Sequence, residues 1–220
     1  MRFYLETARF SEAQRALALG FVTGIYIVRN AVEMKGRDYN DLVGEISKLS
    51  LPWLGVELDA LDREGIITEI RELLQVAPGS SFHLFTPLTL QTLQALHSVI
   101  SQSLFSEVNV GFQYICSLTQ LLLAVRAGAK EVLLDARTLR EVGIALPNLL
   151  SQMKRSLISH GLSCQLLVYG VQDVLEVEQL ALADADGVIG SWDLLQGLAY
   201  HPYTDVSIQR ILVQRGKTTS

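Results

Sequence analysis

The feature that most constrains this chain is an alternation repeated eight times. A short apolar run is followed by a longer amphipathic segment. The apolar runs occupy residues 3–6, 22–27, 53–58, 81–86, 107–112, 131–135, 165–169 and 187–191, each rich in Val, Ile, Leu and aromatic residues. Runs this short and this continuously apolar suit strands buried on both faces, as in a parallel sheet. The intervening segments carry helix signals. Residues 11–19 follow a serine at the cap position, Ser11, with Glu12 in the first turn. Asp38 and Asp62 stand as caps before residues 39–49 and 63–76, where Leu42, Ile46 and Leu49, then Ile66, Ile70, Leu73 and Leu74, recur at helical spacing. Residues 89–103, 117–127, 140–158, 171–183 and 192–199 complete the series, with an interruption expected near Pro147 and a further helix at 205–214. Strand and helix alternating every ~20–30 residues predict a closed α/β architecture, a (β/α)8 barrel. A doubly wound open sheet is the second possibility. It usually has a glycine-rich first turn, and Glu6-Thr7-Ala8-Arg9 contains no glycine.

Composition fits a barrel. At 220 residues the chain is read as one domain spanning 1–220, and its 49% hydrophobic content and mean hydropathy of +0.28 match a sheet covered on both faces. There is no uncharged apolar run of the ~18 residues a membrane span requires. A net charge of −5 argues against a broad nucleic-acid-binding surface. The two cysteines, Cys116 and Cys164, make neither a disulfide framework nor a zinc pattern, and Glu6 stands too early for a signal peptide, so a reducing cytoplasm is expected. No spacing of His, Cys and acids points to a metal, and no glycine-rich phosphate loop is present, so no cofactor is expected.

Motifs along the chain resemble those of the small transaldolases and fructose-6-phosphate aldolases. They are Phe3-Tyr4-Leu5-Glu6-Thr7-Ala8, the stretch opening Gly36-Arg37-Asp38-Tyr39, Glu64-Gly65, Thr86-Pro87-Leu88-Thr89, Ala127-Gly128-Ala129 and His201-Pro202-Tyr203-Thr204-Asp205. They fall in family order over nearly the whole chain. The resemblance implies a transaldolase-like TIM barrel with an extra C-terminal helix, residues 205–214, packing on a neighbouring subunit in a pentamer or decamer.

The resemblance also implies a reaction that this chain is not equipped to perform. Family members use a fourth-strand lysine as a Schiff-base nucleophile, and Phe85 holds that place. The five lysines, Lys35, Lys48, Lys130, Lys154 and Lys217, fall near helices, before the sixth strand or in the tail. Other family positions are altered as well. The second-strand asparagine and proline become Val28 and Arg29, and the water-positioning threonine becomes Gln113. The sixth-strand aromatic becomes Asp135. A phosphate-binding arginine becomes Thr138, with Arg137 next to it as a possible replacement. The seventh-strand serine and basic ligand become Gly170 and Gln172. The first-strand acid persists as Glu6.

The residues themselves leave alternatives. Glu6, Glu57 and Asp135 end strands, where a barrel places chemistry, and are candidate acid/base catalysts. They are equally candidates for pairing with Arg29 or Arg137, or for capping a helix. Arg29 either clamps an anion or neutralises Glu6 and Glu57. Tyr26, Phe85, Gln113, Tyr114 and Tyr169 map to the barrel mouth, as lining of a pocket or as filling of a vacated one. His83 shares a face with Phe85 and reads as a satisfied core group more readily than as a catalyst.

Two functions follow. The favoured one is an enzyme repurposed to carboxylate and tyrosine acid/base or lyase chemistry on a non-phosphorylated small molecule. The alternative is a catalytically inactive homologue, a binding or assembly module. Open polar groups converging at the mouth favour the first, and a mouth plugged by Tyr26, Phe85 and Tyr169 favours the second.

Overall fold

Strands rich in β-branched and aromatic residues pair in parallel with each other, and each parallel pair needs a crossover that brings a helix onto the outside of the sheet. The computed structural model describes residues 1–34, 36–101, 105 and 108–215. In chain order the elements are β1 (Arg2–Glu6), α1 (Phe10–Leu17), β2 (Val22–Ile27), α2 (Arg29–Glu33), α3 (Tyr39–Ser47), β3 (Leu54–Glu57), α4 (Arg63–Val76), β4 (Phe82–Pro87), α5 (Leu90–Ser101), β5 (Asn109–Gln113), α6 (Leu118–Arg126), β6 (Glu131–Asp135), α7 (Ala136–Glu141), α8 (Leu146–Ser159), β7 (Gln165–Tyr169), α9 (Val174–Leu182), β8 (Gly187–Gly190), α10 (Trp192–Gly197) and α11 (Pro202–Gln214). The strands form a closed barrel in sequence order, with β8 paired to β1. This is the (β/α)8 fold expected from the alternation. Asp186 reinforces the closure. Its carbonyl accepts from Arg2 N at 2.8 Å, and its carboxylate accepts from Leu166 N at 2.6 Å and from Lys154 Nζ at 2.5 Å.

Local chemistry sets most helix boundaries. Asp38, Asp62, Ser117, Asp173 and Ser191 each accept a backbone N–H at a helix start. Ser11 does not serve as a cap. Thr7 Oγ1 accepts from Arg9 N at 3.1 Å and turns the chain earlier, so α1 begins at Phe10. The segment expected at 140–158 splits into α7 and α8. Gly143, at φ +74°, takes a left-handed turn, and Pro147 sits in the first turn of α8, where its missing N–H costs nothing. α11 starts at Pro202 rather than Asp205 and has no buried residue. The expected helix end at Ser103 and strand start at Glu107 lie outside the described residues.

The two faces of the strands build separate cores. One set of strand residues, including Leu5, Ile25, Val56, Phe112, Leu134 and Val168, packs against the helices. The alternate set, Tyr4, Tyr26, Phe85, Leu133, Leu167, Tyr169 and Ile189, joins Trp53 in a cluster that fills the lumen. Interior glycines make room for these rings. A Cβ at Gly55 would lie 2.3 Å from Trp53 Cη2 and 2.7 Å from Tyr26 Cδ2. A Cβ at Gly111 would lie 2.4 Å from the Glu131 carbonyl and 2.9 Å from Phe85 Cε1. At the opposite end from the mouth, His83 Nδ1 lies 2.7 Å from Glu131 Oε2, and Trp53 Nε1 donates to both Glu131 oxygens at 3.3 Å. His83 is thus a bonded core group.

Gly55→Ala is expected to destabilise the barrel by about 1–3 kcal/mol, because one methyl overfills the lumen. The reading is a lower urea midpoint at unchanged slope. An unchanged midpoint would show that the lumen has slack.

Candidate functional site

In this fold the C-terminal strand ends converge on one mouth. Every candidate named from the sequence except His83 lies on or just beyond such an end, and the structure sorts them into three groups.

The first group fills the mouth. Phe85 is 0% exposed, with its ring centroid 6.1 Å from that of Tyr26 and 6.2 Å from that of Trp53. Tyr169 lies 5.9 Å from Tyr26 on the other side. These rings pack into one buried cluster inside the barrel. Lys48 caps the end of α3, Lys130 precedes β6, and Lys154 on α8 pairs with Asp186. No described lysine ends a strand. Lys35 and Lys217 lie outside the described residues.

The second group surrounds Glu57, the buried last residue of β3. Its Oε1 accepts from Tyr26 Oη at 2.9 Å, and its Oε2 accepts from Arg29 N at 2.8 Å. Tyr26 Oη is also 3.3 Å from Gln113 Oε1. Glu57 N donates to Tyr39 Oη at 2.9 Å, and Tyr39 Oη donates to Ile27 O at 3.1 Å. Burial pushes the Glu57 carboxyl above its ordinary range; the Arg29 N–H and the Tyr26 hydroxyl pull it down, and Glu6 pushes it up. Burial likewise raises Tyr26 and Tyr39, with Glu57 the next contributor to each. The charge of Arg29 lowers the Glu57 carboxyl, although among the described residues the two form no salt bridge through the guanidinium. That group pairs with Glu69 on α4 and stacks 4.1 Å from the centre of the Tyr39 ring. Glu69 in turn accepts from Asp59 N and Ala60 N, so Arg29 braces the loop after β3.

The third group forms the rim. Asp135 is the N-cap of α7, accepting from Arg137 N at 3.0 Å and from Thr138 Oγ1 at 2.8 Å, and Arg137 Nε approaches at 3.4 Å. Both structural roles considered for Asp135, cap and arginine partner, are therefore present. Arg137 is half-exposed and lies 5.4 Å over the Tyr169 ring. Tyr114 is 42% exposed and holds a positive φ of 59°, uncommon for a residue with a side chain and often found near binding sites. Burial raises its phenol, with Glu57 next in effect. Burial also raises Tyr169, followed by Asp135 and Tyr114. Glu6 is half-buried, and no described residue donates a hydrogen bond to its carboxyl. Burial raises that carboxyl; Arg137 opposes and Asp135 adds to the rise.

Four supporting residues were not legible from strand-end position. Gly170, at φ +72°, keeps clear the Asp135–Arg137 contact, since a Cβ there would lie 2.7 Å from Asp135 Oδ1 and 2.8 Å from Arg137 Nε. Thr138 was foreshadowed by an Asp three residues before a hydroxyl at a helix start. Tyr39 and Glu69 had no sequence signal, because they act from α3 and α4.

Chemically, the rim offers one unbonded carboxyl, two phenols and a guanidinium. Cys116 is no ready nucleophile, since burial raises its thiol and Asp135 adds to the rise. Among the described residues no group of three or more His, Cys, Asp and Glu is placed to hold a metal ion, and no helix is long and apolar enough to cross a membrane.

No family model matches the chain. Curated proteins do. A probable transaldolase of Halalkalibacterium halodurans is 30% identical over 212 residues, 96% of this chain and 97% of the relative. A probable transaldolase of Methanococcus maripaludis strain C5 is 29% identical over 212 residues, 96% of each chain. One of Oceanobacillus iheyensis is 29% identical over 214 residues, 96% of this chain and 97% of the relative. Among solved structures, a cube-shaped porous cage designed by fusing symmetric oligomeric domains has the same fold at a TM-score of 0.61 and 13% identity, covering 99% of this chain and 77% of that one. With end-to-end similarity at this identity, on a closed eight-stranded barrel, the chain belongs to the transaldolase family.

Proposed function

We propose that this protein is a transaldolase-family barrel without Schiff-base activity, acting as a small-molecule-binding and assembly module. One observation carries the reading: Phe85, in the place of the family's lysine, is wholly buried in an aromatic plug with Tyr26 and Tyr169. A phenyl ring forms no imine, and the buried plug supports a lumen closed to a ketose. This reverses the order of preference drawn from the sequence. The ligand would sit on the shallow rim among Glu6, Tyr114 and Arg137, and the altered phosphate positions favour a non-phosphorylated one. Free thiols at Cys116 and Cys164 fit a cytoplasmic setting.

One specific observation favours the second reading, a repurposed acid/base enzyme. Glu6 is a raised, unbonded carboxyl at a strand end, the form a proton-transfer catalyst takes. Its acid/base role would need a substrate held by Arg137 or Tyr114.

Assembly is proposed through α11. This helix leaves Tyr203, Val213, Ile208 and Ile211 exposed, the first two at 78% and 74%. A second copy of the chain, in a pentamer or decamer as the family resemblance implies, is the proposed cover.

Borohydride trapping with fructose 6-phosphate or dihydroxyacetone is expected to leave the native mass unchanged. An adduct on Phe85→Lys alone would show that a carbonyl compound still reaches the barrel. A substrate-dependent adduct mapped to a native lysine would refute the reading. For assembly, light scattering behind size exclusion should give a multiple of 24.3 kDa. The multiple should collapse in an Ile211→Glu, Val213→Glu double variant. A wild-type monomer would remove the assembly role.

A further inference from the structure

With the Gln113 amide oxygen facing Tyr26, the bonds around Glu57 do not balance if that residue is ionised. Tyr26 Oη is buried, 2.9 Å from Glu57 Oε1 and 3.3 Å from Gln113 Oε1. A phenol carries one proton, while a carboxylate oxygen and an amide oxygen carry none. One donor then faces two acceptors, and a buried oxygen is left against another oxygen without a proton between them. One added proton closes the chain. A Glu57 carboxylic acid donates to Tyr26 Oη, and Tyr26 Oη donates to Gln113 Oε1. Glu57 Oε2 keeps its bond from Arg29 N at 2.8 Å.

The charged surroundings are divided, and burial leaves the carboxyl raised. From β1 the facing group is Glu6, of like sign. From α2 it is Arg29, whose charge lowers the carboxyl while its head is engaged by Glu69 and Tyr39. Tyr26, Tyr39, Tyr114 and Tyr169 face Glu57 from β2, from α3, from beyond β5 and from β7, and burial keeps all four phenols neutral. No cationic side chain forms a salt bridge with Glu57 among the described residues.

We propose that Glu57 is a carboxylic acid in the closed barrel, and that its proton is a clasp tying β2, β3 and β5 across the mouth beside Phe85. Loss of that proton unfastens the three strand ends. The mouth therefore closes at lower pH and loosens as pH rises. The inference does not depend on the function proposed above, since the bonds are the same whether the rim binds or catalyses.

Infrared spectroscopy reads the acid directly. At about pH 6, above the ordinary glutamate range, a protonated-carboxyl C=O band is expected in the wild type and in Glu6→Gln, and is expected to be missing in Glu57→Gln. Thermal melts read the clasp. The folded state holds a proton that the unfolded chain has already released, so stability falls as pH rises from the ordinary value of 4.5 to the raised one, and then levels off. Glu57→Gln carries a permanent N–H donor toward Tyr26 and should flatten this fall, while Glu6→Gln keeps the part due to Glu57. Absence of the band in the wild type overturns the proposal. So does a band lost in Glu6→Gln, or a Glu57→Gln chain with the wild-type slope; an ionised Glu57 facing a Gln113 amide turned to donate would give that pattern. If Glu57→Gln does not fold, Glu6→Gln alone decides: the band supports the clasp and its absence overturns it.

Discussion

The lumen of this barrel has a volume set by eight strands, and everything at its mouth depends on how that volume is filled. Three tyrosines, a tryptophan and a phenylalanine occupy it. They fit because glycines leave room for them, as Gly55 does for Trp53 and Tyr26, and Gly111 for Phe85. Large against small gives the lumen its close packing. Once the rings are in place, Phe85 is wholly enclosed by its neighbours, so residue 85 is held by packing as well as by the strand it sits on.

The carboxyls at the mouth show how burial sorts chemically identical groups. Asp135 is satisfied by the start of α7 and by Arg137. Glu57 is bonded to a backbone N–H and a phenol, while the nearby Arg29 guanidinium pairs with Glu69. Glu6 accepts no hydrogen bond among the described residues, and its partial exposure and the charge of Arg137 temper the cost.

Much of this was legible in the sequence, for physical reasons. Parallel strands are buried on both faces, so each appeared as an uninterrupted apolar run, and the caps Asp38 and Asp62 appeared as acids ahead of helical spacing. The mouth was legible as a set of positions, because strand ends must converge in a barrel. Its bonding was not. Arg29 lies one step beyond β2 and would reach either the mouth or the outer helices; the choice went to Glu69 on α4, far along the chain. The start of α1 was misplaced for a similar reason, since a threonine two residues upstream bonded first. Pairings that depend on the third dimension leave no periodicity to read.

Asp186 has a consequence in time. It joins the first strand to the last two, and in doing so removes the sheet's free edges. Until β8 has been synthesised, β1 has a partner on one side only, and its other edge stays open to pairing with a stranger. The nascent chain thus carries an open strand edge from the time β1 emerges until β8 follows it. For such a molecule, the danger of misassembly lies in the interval on the ribosome, and the seam at Asp186 marks where that interval ends.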